Sequence, residues 1–230
     1  MKQTPSYSVL LFDVDGTLLD FHRCAALAMD RAADGMKITL PATAHDDFLR
    51  LNAELWRRLE RGEIDRPELY GMRFRLLFAE WGIPCDGEAF EAAFHRGLGE
   101  THVQVDGAVD LLSNLYGKYI LCVASNANPA FQCERLRRAG LFDYFSKIFC
   151  SDRPGEGKPN ACFFENCLAA FPDVDRRRVL MIGDSPTADV EGAEGVGIDT
   201  CWIDHGHSGH AFLHPPHYRV KCLAEIRDLL

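Results

Sequence analysis

Val9-Leu10-Leu11-Phe12-Asp13-Val14-Asp15-Gly16-Thr17-Leu18-Leu19-Asp20 begins as a short apolar run and breaks on two carboxylates one residue apart, followed by a glycine and a threonine. A continuous apolar run of this length, ending in a turn signal, suits a central strand of a parallel sheet buried on both faces. Asp13 is then expected at the carboxyl end of that strand, where open α/β sheets place their ligand chemistry. Two acids so placed repel each other and are costly to bury. A compensating charge is therefore expected, most simply a divalent cation.

Downstream of this stretch, the rhythm is helical as far as about Gly99. Helical periodicity runs from Asp20 to about Arg31, over Ala44–Arg61 (Phe48, Leu51, Leu55), over Pro67–Trp81 (Leu69, Phe74, Leu77, Phe78) and over Gly87–Leu98 (Phe90, Phe94). Breaks are expected at Gly35, Pro41, Gly62, Gly82-Ile83-Pro84 and Gly97–Gly99. No strand-like alternation interrupts this part, which reads as a helical subdomain inserted after the first strand. From Val105 onward the pattern changes. Apolar strands at Ile120–Ala124, Lys147–Cys150, Val179–Gly183, Thr200–Ile203 and Tyr218–Val220 alternate with helices at Ala108–Tyr116, Pro129–Ala139, Ala161–Phe171, Thr187–Gly195 and Leu223–Leu230. Such alternation predicts an α/β fold with a doubly wound parallel sheet covered on both faces. The expected division is a core of residues 1–19 and 100–230 and an inserted all-helical domain of residues 20–99.

The bulk properties bound the function. A chain of 230 residues with 47% hydrophobic residues is long enough for a full core. Its net charge of −9 argues against a nucleic-acid polymer or an anionic membrane as partner. No apolar run approaches the length of a membrane span, and Met1–Tyr7 lacks a basic region followed by an apolar one. Nine cysteines without a Cys-x-x-Cys pair read as reduced thiols, Cys122 and Cys150 as inert core ones, and the expected location is the cytoplasm.

Polar residues collect at successive strand ends: Asp13 and Asp15, then Ser125 and Asn126, then Asp184 with Asp189. Lys158 lies on a glycine-flanked loop before a helix. The ends of parallel strands share one edge of the sheet, so these groups can converge there. The set suits phosphoryl transfer. Asp13 and Asp184 can hold Mg²⁺, which takes few carboxylates and keeps waters and substrate oxygens in its shell. Ser125 and Lys158 can bind phosphoryl oxygens, and either Asp13 or Asp15 can attack phosphorus while the other moves protons.

Four motifs in order, Asp13-x-Asp15-Gly16-Thr17, Ser125-Asn126, Lys158-Pro159 and Gly183-Asp184-Ser185-x-x-x-Asp189, resemble those of the haloacid dehalogenase (HAD) superfamily. The helical insert resembles its C1-type cap. Leu19-Asp20-Phe21, Leu55-Trp56-Arg57 to Gly62-Glu63-Ile64, and Asp199-Thr200-Cys201-Trp202 are similar to the bacterial pyrimidine 5′-nucleotidases within it. Members of that group often carry a second acid where Gly16 stands. The resemblance implies an HAD-like Rossmannoid core and a Mg²⁺-dependent phosphatase. In it Asp13 is the nucleophile that forms a phosphoaspartate. Asp15 protonates the leaving oxygen, activates water and lends its backbone carbonyl to the metal. Thr17 supports Asp15, Ser125 and Asn126 with Lys158 bind the substrate phosphate, Asp184 ligates Mg²⁺, and Asp189 is an acid behind the ligands or an alternate to them. The implied substrate is a small phosphomonoester, a pyrimidine nucleoside 5′-monophosphate first, met by a monomer or homodimer beneath a closing cap.

Competing readings stand beside these. A calcium loop beginning at Asp13 needs a Glu where Cys24 stands. A phosphatase for phosphoglycolate or a sugar phosphate differs only in cap contacts. A haloacid dehalogenase needs neither Asp15 nor Asp184, and a non-catalytic binding module does not need four complete motifs. His205, His207, His210, His214 and His217 read as a polar loop more than as a metal site. Trp56, Phe74, Phe78 and Trp81 read as packing of the helical domain, with base stacking by one of them as the alternative. Arg57, Arg58, Arg61, Arg73 and Arg75 read as its solvated face.

Overall fold

The structure is a computed structural model and describes residues 7–151, 153, 155–206 and 210–230. It divides into two compact units, one made of the chain up to Asp20 together with Gln104–Leu230, the other of Phe21–Val103. The second junction falls later than residue 100 because the chain stays packed on the first helix. The Thr101 hydroxyl donates to the carbonyls of Leu98 (3.0 Å) and Cys24 (3.4 Å), and the Cys24 thiol donates to Val103 O.

In the first unit, β1 (Val9–Phe12), β2 (Ile120–Ser125), β3 (Lys147–Cys150), β4 (Val179–Gly183), β5 (Asp199–Ile203) and β6 (Tyr218–Val220) form a parallel sheet in the order β3-β2-β1-β4-β5-β6. Successive side chains of a strand point to opposite faces, and here both faces are apolar. Leu10 and Phe12 pack with Leu112 and Leu223 on one side, while Val9 and Leu11 pack with Phe163, Phe164 and Cys167 on the other. The chain moves outward from β1 to β3, then returns to β4 on the other side of β1. The reversal puts the ends of β2, β1 and β4 side by side at the topological switch point.

The second unit consists of α1 (Phe21–Met36), α2 (Ala44–Glu60), α3 (Arg66–Trp81) and α4 (Gly87–Glu100). Its core is aromatic: Phe48, Phe74, Phe90 and Phe94 are fully buried, with ring centroids 4.6 to 5.5 Å apart along the chain of contacts through Phe74. Asp65 and Glu68 cap α3 reciprocally, and Gly82 in the left-handed conformation ends it. Two expected breaks are absent. Helix α1 runs through Gly35 and stops at Lys37, which takes the positive φ, and α4 runs through Gly97. A Cβ on Gly97 would lie 3.2 Å from the Ala28 Cα, so this glycine serves the close approach of α1 and α4 and not a turn.

The remaining helices belong to the sheet unit: α5 (Ala108–Leu115), α6 (Pro129–Arg138), α7 (Ala161–Ala169), α8 (Gly192–Glu194) and α9 (Leu223–Arg227). The helix expected over Thr187–Gly195 is a π-helical segment at Pro186–Glu191 followed by α8, and the terminal helix ends before Leu230. Arg73, expected on a solvated face, is buried. It stands on the stripe of Leu69 and Leu77 and is bonded through two guanidinium nitrogens to Glu91 and through the third to Asn52 (2.7 Å). Among the described residues no helix is long and apolar enough to cross a membrane.

Candidate active site

β1 hands directly to Asp13, whose backbone N–H still donates to Ile182 O of β4 at 2.9 Å. β4 ends on Gly183, and Asp184 follows. Ser185 then caps the next segment by accepting from Ala188 N (3.1 Å), and that segment turns Asp189 back toward the strand ends. Side chains at Gly16 and Gly183 would collide with the carboxylates of Asp184 and Asp189, so both glycines make room for the acids. The carboxylates of Asp13, Asp184 and Asp189 offer oxygens that all lie within 4.8 Å of one another.

Lys158 reaches this cluster from the loop before α7. Its Nζ donates to Asp13 Oδ1 and to Asp189 Oδ1, each at 2.6 Å, and the residue is only 3% exposed. Burial works against the charge on Lys158, but Asp13 and Asp189 outweigh it and hold the ammonium above its ordinary range. Burial pushes the Asp13 carboxyl up to about 7, with Lys158 pulling it down and Asp189 and Asp15 pushing it further up. Burial also raises Asp184 well above the usual carboxylate range, and the charges of Asp13 and Asp189 add to it. Asp184 accepts from the Thr17 hydroxyl (3.3 Å) and touches no cationic side chain among the described residues. Two buried carboxylates thus share one ammonium beside the half-buried carboxylate of Asp184, and the donor set is all oxygen. Both features fit a hard divalent cation.

Several of these residues have partners that the resemblance does not specify. The Thr17 hydroxyl donates to Asp184. Asn126 is turned to the loop of Lys158: its Nδ2 donates to Lys158 O (2.8 Å) and its Oδ1 accepts from Lys158 N (2.7 Å), so the amide holds the lysine loop. Asp189 is in direct contact with Lys158, and its carboxylate lies among those of Asp13 and Asp184. Asp15 is outside the three-carboxylate group because its side chain faces α6. There Oδ1 accepts from Arg135 Nη1 (2.6 Å) and Oδ2 from Gln132 Nε2 (3.2 Å). Gln132 and Arg135 are new to the site. Both fall on the stripe of α6 that includes Leu136 and packs toward the sheet, and polar residues on an otherwise buried stripe are the sequence signal that points to them.

Three of the described histidines of this loop have separate partners. His205 Nε2 donates to Gly16 O (2.7 Å), His210 meets Glu191 (3.0 Å), and His217 lies between Glu194 (2.8 Å) and Asp199 (3.2 Å). His207 lies outside the described residues. Burial pushes the Cys122 and Cys150 thiols up to about 12, which keeps them protonated.

Fold and site together define a parallel α/β enzyme whose acids and lysine converge at the ends of its central strands. The sequence model for haloacid dehalogenase-like hydrolases matches residues 7–197. The HAD-hydrolase YfnB of Bacillus subtilis is 36% identical over 97% of this chain and 95% of its own. Its crystal structure with bound magnesium superposes with a TM-score of 0.91, covering 97% of this chain and 98% of the other. The pyrimidine 5′-nucleotidases PynA of Streptococcus pneumoniae (33% identical, 97% and 95% of the two chains) and YjjG of Escherichia coli (31%, 96% and 96%) are similar over nearly their full lengths. The chain belongs to the haloacid dehalogenase-like hydrolases and is an enzyme of their phosphatase kind.

Proposed function

We propose that the chain is a Mg²⁺-dependent phosphomonoester hydrolase that works through a phosphoaspartate on Asp13, with pyrimidine nucleoside 5′-monophosphates as its preferred substrates. The observation that carries the chemistry is the group of three carboxylates, Asp13, Asp184 and Asp189, with Lys158 bonded to two of them at the ends of adjacent central strands. The nucleotide preference rests on the two nucleotidase relatives and on the motif resemblance of the first strand, the helical unit and β5.

Asp13 and Asp184 are the side chains that would hold Mg²⁺, with the backbone carbonyl of Asp15. When bound, the ion supplies positive charge that offsets these carboxylates and the oxygens of the transferring group. An Asp13 oxygen attacks phosphorus, forming the aspartyl P–O bond as the bond to the leaving oxygen breaks. Asp15, as the neutral acid, gives the leaving oxygen its proton, and the nucleoside alcohol departs. Asp15, now a carboxylate, takes a proton from water, whose oxygen attacks the same phosphorus. Inorganic phosphate leaves and the Asp13 carboxylate is restored. Ser125 and Lys158 hold the phosphoryl oxygens, and most of the rate enhancement is positioning and charge neutralisation. The helical unit is the cap domain, and its part is substrate choice.

Phosphate release measured with Mg²⁺ on UMP, dUMP and TMP beside phosphoglycolate and ribose 5-phosphate tests both levels. The pyrimidine nucleotides are expected to give the highest kcat/KM. A preference for another arm replaces the substrate class, and no turnover of any phosphomonoester sinks the reading altogether.

A further inference from the structure

Arg135 is hard to explain as packing. The guanidinium is 1% exposed, stacks 5.7 Å from the Phe131 ring and meets one carboxylate among the described residues, that of Asp15. Its Nε and Nη2 are buried and have no hydrogen-bond partner among the described residues. A buried charge with two unsatisfied donors costs stability, and a hydrocarbon side chain of similar volume would fill the same place without that cost. The compensating feature is what Nη1 does, which is to pin Oδ1 of Asp15 at 2.6 Å while the Asp15 side chain keeps 30% of its exposure.

Gln132, one turn before it and fully buried, has its amide orientation dictated by these neighbours. Arg135 can only donate, so it takes Gln132 Oε1 (3.2 Å), and the amide Nε2 is left to donate to Asp15 Oδ2 and to Ser125 Oγ, each at 3.2 Å. Ser125 Oγ also accepts from Ala127 N (3.2 Å). With both lone pairs of that hydroxyl occupied by donors, its own hydrogen has to be given elsewhere.

We propose that Arg135 and Gln132 are positioning residues for phosphoryl transfer: Arg135 anchors Oδ1 of Asp15 so that Oδ2 is the oxygen that carries and passes the proton, and Gln132 turns the Ser125 hydroxyl into a donor toward the phosphoryl group. The inference rests on the phosphatase reading above. In the first step the proton on Oδ2 goes to the leaving oxygen; in the second, Oδ2 takes one from water.

The test compares substrates that differ in their need for an acid. A 4-nitrophenolate leaves without a proton, whereas the alkoxide of a nucleoside 5′-monophosphate does not, and kcat/KM reports the step in which it leaves. Arg135→Met in the full chain with Mg²⁺ is expected to lower kcat/KM for the best nucleotide of the panel by about 100-fold, and for 4-nitrophenyl phosphate by at least ten times less. Arg135→Lys, which keeps the charge at the same place, is expected to recover part of the nucleotide activity. It gives the same comparison if the methionine variant does not fold. Gln132→Glu supplies an acceptor that takes the Ser125 proton, and KM is expected to rise about tenfold for both substrates. Equal losses on the two substrates in the folded Arg135 variants overturn the Asp15 half, and an unchanged KM in Gln132→Glu overturns the Ser125 half. A wild type inactive on every phosphomonoester removes the phosphatase reading itself, and the inference with it.

Discussion

Lys158 holds Asp13 and Asp189 at 2.6 Å each, and all three are buried, so the lysine is both a phosphate anchor and the main neutralising charge of the cluster. One ammonium for three carboxylates leaves an excess of negative charge that a nucleophile and a metal ligand need and that folding does not. Asp13→Asn is therefore expected to abolish turnover, by at least about a thousandfold, because an amide neither forms a phosphoaspartate nor binds a hard cation well. It is also expected to raise the melting temperature of the metal-free protein, since it relieves like-charge repulsion at a buried site. Steady-state phosphate release and thermal melting of both proteins in EDTA check this, and turnover above a few per cent of wild type would reassign the nucleophile. At this scale Asp13, Lys158 and Asp184 are legible in the sequence because each follows a strand or a glycine-bounded loop. The partners of Thr17, Asn126 and Asp15 are not, because a side chain's hydrogen bond depends on which loop lies across from it. Asn126 offers an amide donor group and a carbonyl acceptor, and one bond of each goes to the backbone of Lys158, a residue 32 positions away.

Helices show the same division between pattern and partner. Amphipathic spacing marks α2, α3 and α4, and their phenylalanines form the core of the helical unit as that spacing requires. It also places Arg73 on the stripe of Leu69 and Leu77, where a charged residue reads as an exception or as part of the exposed face. The choice is made by Glu91 on α4 and Asn52 on α2, which together accept from three guanidinium nitrogens while Phe48 and Phe94 cover the group at 5.1 and 4.9 Å. Burial pushes the Glu91 carboxyl up against the pull of Arg73, so the two groups depend on each other to stay buried. Glu91→Ala is expected to destabilise the protein by about 3–5 kcal/mol, because it leaves the guanidinium buried and unpaired. Arg58→Ala, whose exposed side chain meets Glu63 at 3.5 Å, is expected to cost about 0.5 kcal/mol or less. Urea unfolding of the two variants separates these values, and similar midpoints would mean that the buried pair does not hold α3 to α4. Gln132 and Arg135 on α6 repeat the lesson: a polar residue on a buried stripe is visible in the sequence, but its use is visible only once the facing strand is known.

For the molecule as a whole, the acid cluster links stability to pH and metal. Asp13 is raised to about 7 and Asp184 is raised well above the carboxylate range, so the metal-free native state binds more protons than the unfolded chain between the ordinary carboxylate values and those raised ones. Stability of the metal-free protein therefore falls as pH rises from about 4 through about 7 and stays lower above it. A cation that competes with these protons stabilises the native state, and more strongly as they leave. Melting temperatures in EDTA and in millimolar Mg²⁺ are expected to converge near pH 5 and to separate by several degrees near pH 8. A constant gap across that range would place the stabilising ion away from Asp13 and Asp184.

What the sequence determines by itself is the order of things along the chain. Apolar runs of strand length alternate with amphipathic helices, and acids, a serine and a lysine follow the strands, because hydrophobic periodicity and turn chemistry are local properties. What only the tertiary structure decides is which of those groups meet. The reversal from β3 back to β4 sets the ends of β1 and β4 beside each other, and this brings Asp184 to Asp13 across 171 positions, the difference between their residue numbers. The packing of α6 against the sheet then gives Asp15 to Arg135 instead of to the other acids, and charge compensation in a buried site follows from proximity in space, not in sequence.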